Sequence, residues 1–186
     1  DQRQDLQAKI KQAQEEARQE KLTRYEEVAK DCEQRFQSYS EVIKHPYLES
    51  KQIKSYSLKL HNKALVVPIY NTQGDLRSLQ YIQEDGQKRF VSAGEVKGNL
   101  FLIGTDFKSL EKIDSLVVVE GMATGASVYE ATGLPVACVF SANFGYDAVK
   151  KLRDKTDARI YLAFDNDKTN LGRKKAEDIC SRFFNC

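Results

Sequence analysis

The stretch "YLAFDNDKTNLGRKKAE", residues 161–177, joins an apolar run to a charged one at two aspartates that are separated by a single residue. The apolar run before Asp165 is typical of a buried strand, and a helical pattern follows the aspartates. Side chains two residues apart in an extended segment point the same way, so Asp165 and Asp167 can share one cation. This junction predicts an α/β fold with acidic side chains at the end of a strand.

The whole segment from residue 115 onwards alternates between apolar strands and helices. The predicted strands are "SLVVVE", "PVACVFSA" and "ARIYLAF", and the predicted helices are "ATGASVYEAT", "YDAVKKLRDK" and "GRKKAEDICSRFF". Uniformly apolar strands that alternate with helices indicate βαβ units, right-handed crossovers and a parallel sheet covered on both faces.

Upstream of this segment, residues 64–104 show the pattern of antiparallel strands. The runs "ALVVPIY", "LRSLQYIQ" and "KRFV" are separated by the turns "NTQGD" and "EDGQ", and "NLFLIG" follows them. Short β-branched runs that are separated by turns of this kind are typical of hairpins. We therefore predict a small antiparallel β meander before the parallel sheet.

The first forty residues contain no Gly or Pro and place apolar residues three or four positions apart, which predicts a long amphipathic helix. Its first half has only small or isolated apolar residues, whereas Phe36 and Tyr39 give its second half enough bulk to dock. A coiled coil is less favoured because the apolar stripe breaks near Glu20 and Lys21. We expect "HPYLESKQI" to end the helix, since Pro46 disfavours helical geometry at the residue before it.

The composition excludes some classes of protein. The net charge of +2 is the remainder of 29 basic and 27 acidic side chains, so a globally basic nucleic-acid coat is excluded. The four cysteines form no C-x-x-C pair, and we interpret them as reduced thiols in a cytosolic protein without a zinc site. No apolar run approaches the roughly 20 residues that span a bilayer. The chain begins within a helical pattern, which we interpret as a piece of a longer polypeptide.

Polar side chains collect where the predicted parallel strands end. The first strand ends at Glu120, the second is followed by Asn143, and the third is followed by Asp165 and Asp167. In open parallel sheets, ligands bind beyond the carboxyl ends of the strands. Carboxylates crowded on such a rim repel one another unless a cation such as Mg²⁺, which prefers oxygen ligands, lies between them. The pattern predicts a catalytic metal site, although an aspartate taken alone is more often a helix cap or turn residue.

The last predicted helix opens with Arg173, Lys174 and Lys175. Cations at this end of a helix are disfavoured by the helix dipole by about a few tenths of a kcal/mol each. A phosphate in front of the helix would explain them, and a solvated charge run is the alternative interpretation for each lysine.

Two longer stretches resemble a known family. "VVVEGMATGASVYEATGLPVACVFSANF" and "IYLAFDNDKTNLGRKKAED" have the Glu-Gly and Asp-x-Asp of the toprim domain, which bacterial-type primases, topoisomerases and some nucleases share. "HPYLESKQI", "LVVPIYNTQGDLRSLQYIQEDGQKRF" and "GEVKGNLFLIG" resemble the segment before toprim in primases of conjugative plasmids and phages. Two departures are the absence of a third acidic residue around Lys168 and Thr169 and the absence of a zinc-binding module.

This resemblance, which covers roughly residues 45–184, implies an architecture. The expected fold is α/β, with a toprim-type parallel sheet flanked by helices, a small antiparallel β subdomain before it, and a long amino-terminal amphipathic helix. We divide the chain into an amphipathic helical segment at 1–44, an antiparallel α+β subdomain at 45–110 and a toprim domain at 111–186.

The resemblance also implies a DNA primase catalytic core, which makes short primers on single-stranded DNA by metal-dependent nucleotidyl transfer. Asp165 and Asp167 would hold Mg²⁺, for which Mn²⁺ can substitute, and Glu120 would bind a second ion or move a proton. Asn143 would orient a phosphate or a water, and Arg173 and Lys174 would contact the nucleotide or nucleic acid.

The meander contributes a basic and aromatic group of residues, Lys88, Arg89, Phe90 and Lys97, which suits phosphate neutralisation and base stacking. Strand alternation places Lys88 and Phe90 on one face and Arg89 on the other, so at most one set needs to contact nucleic acid. The alternative is that Phe90 is a core residue and the cations protect an edge strand.

The implied partners are a single-stranded DNA template, nucleoside triphosphates, and a helicase or other replication or transfer domains outside this sequence, with no membrane. The implied setting is plasmid conjugation or mobile-element replication. Two alternatives stay open at this point: a toprim-type nuclease or topoisomerase fragment that uses the same carboxylates, and a non-catalytic module that binds single-stranded DNA.

Overall fold

The structure is a computed structural model that describes residues 2–166 and 168–186. Its helices and strands, in chain order, are α1 Gln2–Ser38, β1 Ser40–Glu41, α2 Pro46–Lys51, β2 Lys59–His61, β3 Ala64–Tyr70, β4 Leu76–Ile82, β5 Lys88–Phe90, β6 Phe101–Ile103, β7 Ser115–Val119, α3 Met122–Thr132, β8 Val136–Cys138, α4 Ala142–Arg153, β9 Arg159–Ala163 and α5 Leu171–Cys180. Within these described residues, no helix is both long and apolar enough to cross a bilayer.

The first sheet has the order β1-β2-β3-β4-β5, and all its neighbouring strands are antiparallel. It therefore confirms the predicted meander. Its central strand β3 is buried along almost its whole length, because Leu65 and Val67 pack towards the rest of the protein while Val66 packs towards α1. The sheet is thus the middle layer between α1 and the second half of the chain.

The two halves of α1 differ as the sequence predicts. Ala29 and Cys32 in the second half are buried, and Cys32 packs with Val66 and Leu79 of the first sheet, with Phe36 beside them. Residues 3–24 are exposed.

The structure differs from expectation at Pro46. The long helix already ends at Ser38, and Pro46 begins the short helix α2 instead. His45 is the N-cap of α2: its Nδ1 accepts the Tyr47 N–H at 3.2 Å, and its Nε2–H donates to the Lys63 carbonyl at 2.8 Å. A proline suits the first turn of a helix because its missing N–H would have no partner there.

The second sheet has the order β6-β8-β7-β9, in which β7 runs parallel to both β8 and β9. The predicted parallel α/β sheet is confirmed for these three strands. The "NLFLIG" segment, which we expected to follow the meander, forms β6 and pairs antiparallel with β8 in this second sheet. It does so because Phe101 and Ile103 are buried in the core that both sheets share. The second sheet is therefore mixed.

Coverage of the second sheet is less complete than predicted. Helix α3 packs on one face, and α4 and α5 pack on the other. Edge strand β9 is covered only on the α4 and α5 side, where Ile160 is buried, whereas Tyr161 on the α3 side is 45% exposed. The prediction that helices cover both faces is thus wrong for β9, since the main contacts of α3 are with β6, β7 and β8.

One shared core joins the two sheets. Leu65, Val67 and Ile82 of the first sheet belong to the same buried cluster as Val119 and Met122 of the second half. This packing places β5, at the edge of the first sheet, beside the carboxyl ends of the parallel strands. The division into segments 1–44, 45–110 and 111–186 stays a prediction.

Candidate active site

Glu120 is at the centre of the carboxyl edge of the second sheet. It directly follows β7, which lies between β8 and β9. Its Oε1 accepts the backbone N–H of Asp165 at 3.0 Å, and its Oε2 accepts the backbone N–H of Ala142 at 3.0 Å. One half-buried carboxylate therefore ties together the ends of all three parallel strands.

The local structure explains why Glu120 finds these donors. Ala142 is the first residue of α4, whose N-cap Ser141 accepts the Asn143 N–H at 3.2 Å. The first N–H groups of a helix have no partner within the helix, and a negative charge in front of them is favourable. The Glu120 carboxylate meets both conditions.

Asp165 is exposed and lies two residues after the end of β9. Gly172, at the start of α5, packs so closely on this point that a Cβ there would collide with the Asp165 carbonyl oxygen. The backbone of Asp165 is thus held between Glu120 and the first turn of α5, while its carboxylate faces solvent. The Glu120 carboxylate thus contacts the backbone of Asp165 at the sheet edge, and a shared metal between their carboxylates stays a prediction.

Asp167 lies outside the described residues, so the second half of the Asp-x-Asp pair has no structural description. Among the residues that are described, no three His, Cys, Asp or Glu side chains form a group that could hold a metal ion. Glu120 and Asp165 nevertheless fit a hard cation, because carboxylate oxygens are its preferred ligands and each oxygen of Glu120 has a lone pair beyond the one that its N–H donor uses.

Strand β5 brings a cation and an aromatic ring to the same edge. The Lys88 Nζ lies 3.6 Å from the position that a Cβ would take on Gly121. The Phe90 ring meets the Phe140 ring edge to face, with centroids 5.9 Å apart, and is itself 40% exposed. Phe140 has a φ of 69° and is held there by its N–H, which donates to the Glu120 carbonyl at 2.7 Å. Lys88 and Phe90 therefore lie beside the residues that follow β7 and β8.

The remaining predicted residues lie elsewhere. Arg89 is exposed and pairs with Tyr81, on the side of the first sheet where α1 packs. Lys97 forms an ion pair of 3.1 Å with Asp147 of α4.

Arg173 and Lys174 of α5 and Asn143 of α4 are exposed. Arg173 donates to Glu177 along the helix at 2.8 Å, and this carboxylate raises the pKa of the guanidinium. Lys174 and Asn143 each lie in the first turn of their helix. Arg173 and Lys97 are instead each paired with another carboxylate, Glu177 and Asp147 respectively.

Sequence reasoning missed Phe140 and Gly172. Nothing in the pattern of the sequence marks Phe140, since it reads as the end of an apolar strand. Gly172 had a usable signal, because a glycine at the start of a helix that follows a strand end often permits close backbone packing.

Comparison with known proteins adds independent findings. The toprim domain family matches residues 115–185. The chain is homologous to the DNA primase TraC of Escherichia coli, with 32% identity over 143 residues that cover 71% of this chain. The chain spans only 10% of the length of that relative.

Two solved structures have a similar fold. The primase fragment of the bacteriophage T7 primase-helicase protein aligns over 77% of this chain and 60% of its own, with a TM-score of 0.52 and 18% identity. The DnaG primase catalytic domain bound to single-stranded DNA aligns over 84% of this chain and 68% of its own, with a TM-score of 0.59 and 11% identity. The predicted fold class is confirmed by these likenesses.

Proposed function

Residues 115–185 are a toprim domain in a chain that has the fold of primase catalytic cores, and from this premise we propose that the chain is the catalytic core of a DNA primase. It joins ribonucleotides into short primers on a single-stranded DNA template. The observation that carries the proposal is that β5 places Lys88 and Phe90 beside the sheet edge where Glu120 contacts Asp165. Carboxylates for a metal, a cation for phosphate and a ring for a base are the parts that nucleotidyl transfer needs.

The metal is Mg²⁺ in this proposal, with Mn²⁺ as a substitute, and its ligands are Asp165, Asp167 and Glu120. When bound, such an ion stabilises the charge that develops on phosphoryl oxygens during an in-line displacement. Glu120 keeps the strand ends in place through its two N–H contacts, so its carboxylate serves both the backbone and the site.

The groups of β5 bind the nucleic acid. Lys88 neutralises a phosphate near Gly121, and the exposed part of Phe90 offers a stacking surface for a base. Asn143 at the start of α4, with Arg173 and Lys174 at the start of α5, supplies further contacts to phosphates. Arg89 and Lys97 contribute only at the periphery, because β5 turns Arg89 to its other face and Asp147 holds Lys97.

The setting of this activity follows the relatives. Similarity to TraC and to the primase fragment of a phage primase-helicase supports a role in plasmid conjugation or mobile-element replication in the bacterial cytoplasm. Nucleoside triphosphates and template DNA are then its substrates, and a helicase or other replication or transfer domain is its partner.

The test is incorporation of labelled ribonucleotides on single-stranded DNA with Mg²⁺ or Mn²⁺, in which the natural chain is compared with Asp165→Ala. Asp178→Ala is the matched control, because Asp178 lies on the exposed side of α5 and pairs with Arg182. Short products that vanish only in Asp165→Ala would support the proposal.

Two other results would contradict it. Nicking of DNA that depends on the metal and on Asp165, without incorporation, would favour the toprim-type nuclease. Binding of single-stranded DNA that persists in Asp165→Ala, with no incorporation by any variant, would favour the non-catalytic module.

A further inference from the structure

The amino-terminal half of α1 carries an apolar stripe that the rest of the described chain does not cover. Leu6 is 59% exposed and Ile10 is 49% exposed. Ala13 and Ala17 continue their spacing of three and four residues and are also exposed. Large apolar side chains in a regular row on an exposed helix indicate a contact surface.

This stripe does not extend the one that docks on the first sheet. At 3.6 residues per turn, the row from Leu6 to Ala17 points about 100° away from the row of Ala29, Cys32 and Phe36. The docked row is the one that touches Val66 and Leu79. The first sheet therefore cannot cover both rows of a continuous helix, and the amino-terminal row needs another partner.

We propose that this segment of α1 pairs antiparallel with the same segment of a second copy of the chain. The register sets Leu6 against Ala17 of the second copy and Ile10 against Ala13 of the second copy, and symmetry repeats both contacts. Each layer then joins one large and one small side chain, which lets the helices pack closely without a void.

Charges on the same segment match this register. Arg3 of one copy lies against Glu20 of the other at both ends of the contact, and Lys9 flanks Glu16 of the other copy twice. All four side chains are exposed, and Glu16 also accepts a hydrogen bond from Gln12 of its own helix. Opposite charges on the flanks of a coiled-coil seam set the choice and orientation of the partner.

A parallel pair is disfavoured by the same residues. It would set Arg3 against Arg3 and Glu20 against Glu20, which repel. It would also set Ala13 against Ala13 and Ala17 against Ala17, which leaves both layers underfilled. The break in the apolar stripe near Glu20 is thus explained as a charged end layer.

The rest of the fold leaves room for this contact. The overlap is confined to residues 3–20, a length of about 27 Å at 1.5 Å per residue. The helix first becomes buried against its own sheet at Ala29, beyond the overlapped segment. The two folded bodies therefore lie at opposite ends of the paired helices.

The test is sedimentation equilibrium of the chain with charge-swap variants. Lys9→Glu and Glu16→Lys should each weaken dimer formation about tenfold, because each removes two attractive contacts and creates two repulsive ones. The double variant should restore the dimer. Lys11→Glu is the matched control: it makes the same charge change on the outer side of the helix and should have no effect.

The orientation is measured by spin labels at Thr23→Cys, in a chain whose Cys180 and Cys186 are replaced by serine. An antiparallel pair separates the two labels by about 35 Å, whereas a parallel pair sets them side by side. A chain that stays monomeric at every concentration, a double variant that does not recover, or two adjacent labels would each overturn the proposal. The substituted positions on α1 are exposed. Cys180 and Cys186 are half-buried, so circular dichroism checks that the chain with both cysteines replaced keeps its fold.

Discussion

The ends of β7 and β9 lie side by side, yet Glu120 after β7 and Asp165 after β9 are held in opposite ways. Glu120 is half buried, and both its carboxylate oxygens accept backbone N–H groups. Asp165 is held through its backbone, while its carboxylate is exposed. The difference teaches that one acidic residue organises the site and the other is available to a ligand.

The largest effect is expected from Asp165→Asn, which keeps the size of the side chain and removes its charge. Primer synthesis should fall by more than about 100-fold, because a metal ligand is lost. The free energy of unfolding should stay within about 0.5 kcal/mol of the natural value, since the side chain is exposed. Incorporation assays and urea denaturation measure the two quantities. A large loss of stability would contradict the view that the Asp165 side chain, unlike that of Glu120, does not support the fold.

Gly172→Ala tests how the end of β9 is supported. The new Cβ would collide with the Asp165 carbonyl oxygen, which is backbone and cannot rotate away. We expect a loss of about 2 to 3 kcal/mol in the free energy of unfolding. Gly133→Ala is a useful control, because a Cβ there meets nothing within 4 Å and only its φ of 70° is unfavourable. A smaller loss at Gly172 than at Gly133 would contradict the close packing.

Glu120→Ala should differ from Asp165→Asn in its effect on stability. Removal of the carboxylate leaves the Ala142 and Asp165 N–H groups to water, which we expect to cost about 1 to 2 kcal/mol. Amide hydrogen exchange gives the sharper readout, because these two N–H groups should exchange faster while those of β4 do not change. Unchanged exchange at Ala142 and Asp165 would mean that Glu120 does not organise the strand ends.

The smallest effect is expected from substitutions on the two faces of β5. Lys88→Ala should weaken binding of single-stranded DNA about fivefold and reduce its salt dependence by about one phosphate contact. Arg89→Ala is its matched partner on the other face and should change binding less. Fluorescence anisotropy at several salt concentrations measures both. A larger effect of Arg89→Ala would indicate that the nucleic acid binds on the face of the first sheet where α1 packs.

Much of the fold follows from local pattern. The alternation of apolar strands and helices after residue 115 predicted β7, β8 and β9, and short β-branched runs with turns predicted the meander. Phe36 in the docked half of α1 was also identified correctly. These elements are readable because periodicity reflects which side of each segment is buried.

The sequence could not assign "NLFLIG" to a sheet or show that β9 is covered on one face only. Strand pairing over a long separation leaves no mark in the strand itself, so β6 looks like another strand of the meander. The sequence of β9 is apolar on both faces, which is the pattern of a fully buried strand. Only the tertiary structure shows that one of these faces is left exposed.

By itself, the sequence determined that acidic residues stand at the ends of parallel strands and that Lys88 and Phe90 share one face of β5. Only the tertiary structure decided that this face is the one that meets Gly121 and Phe140, and that Glu120 binds both neighbouring strand ends. The reason is physical: periodicity encodes the two faces of a segment, but which face meets which neighbour depends on how the two sheets pack over their shared core.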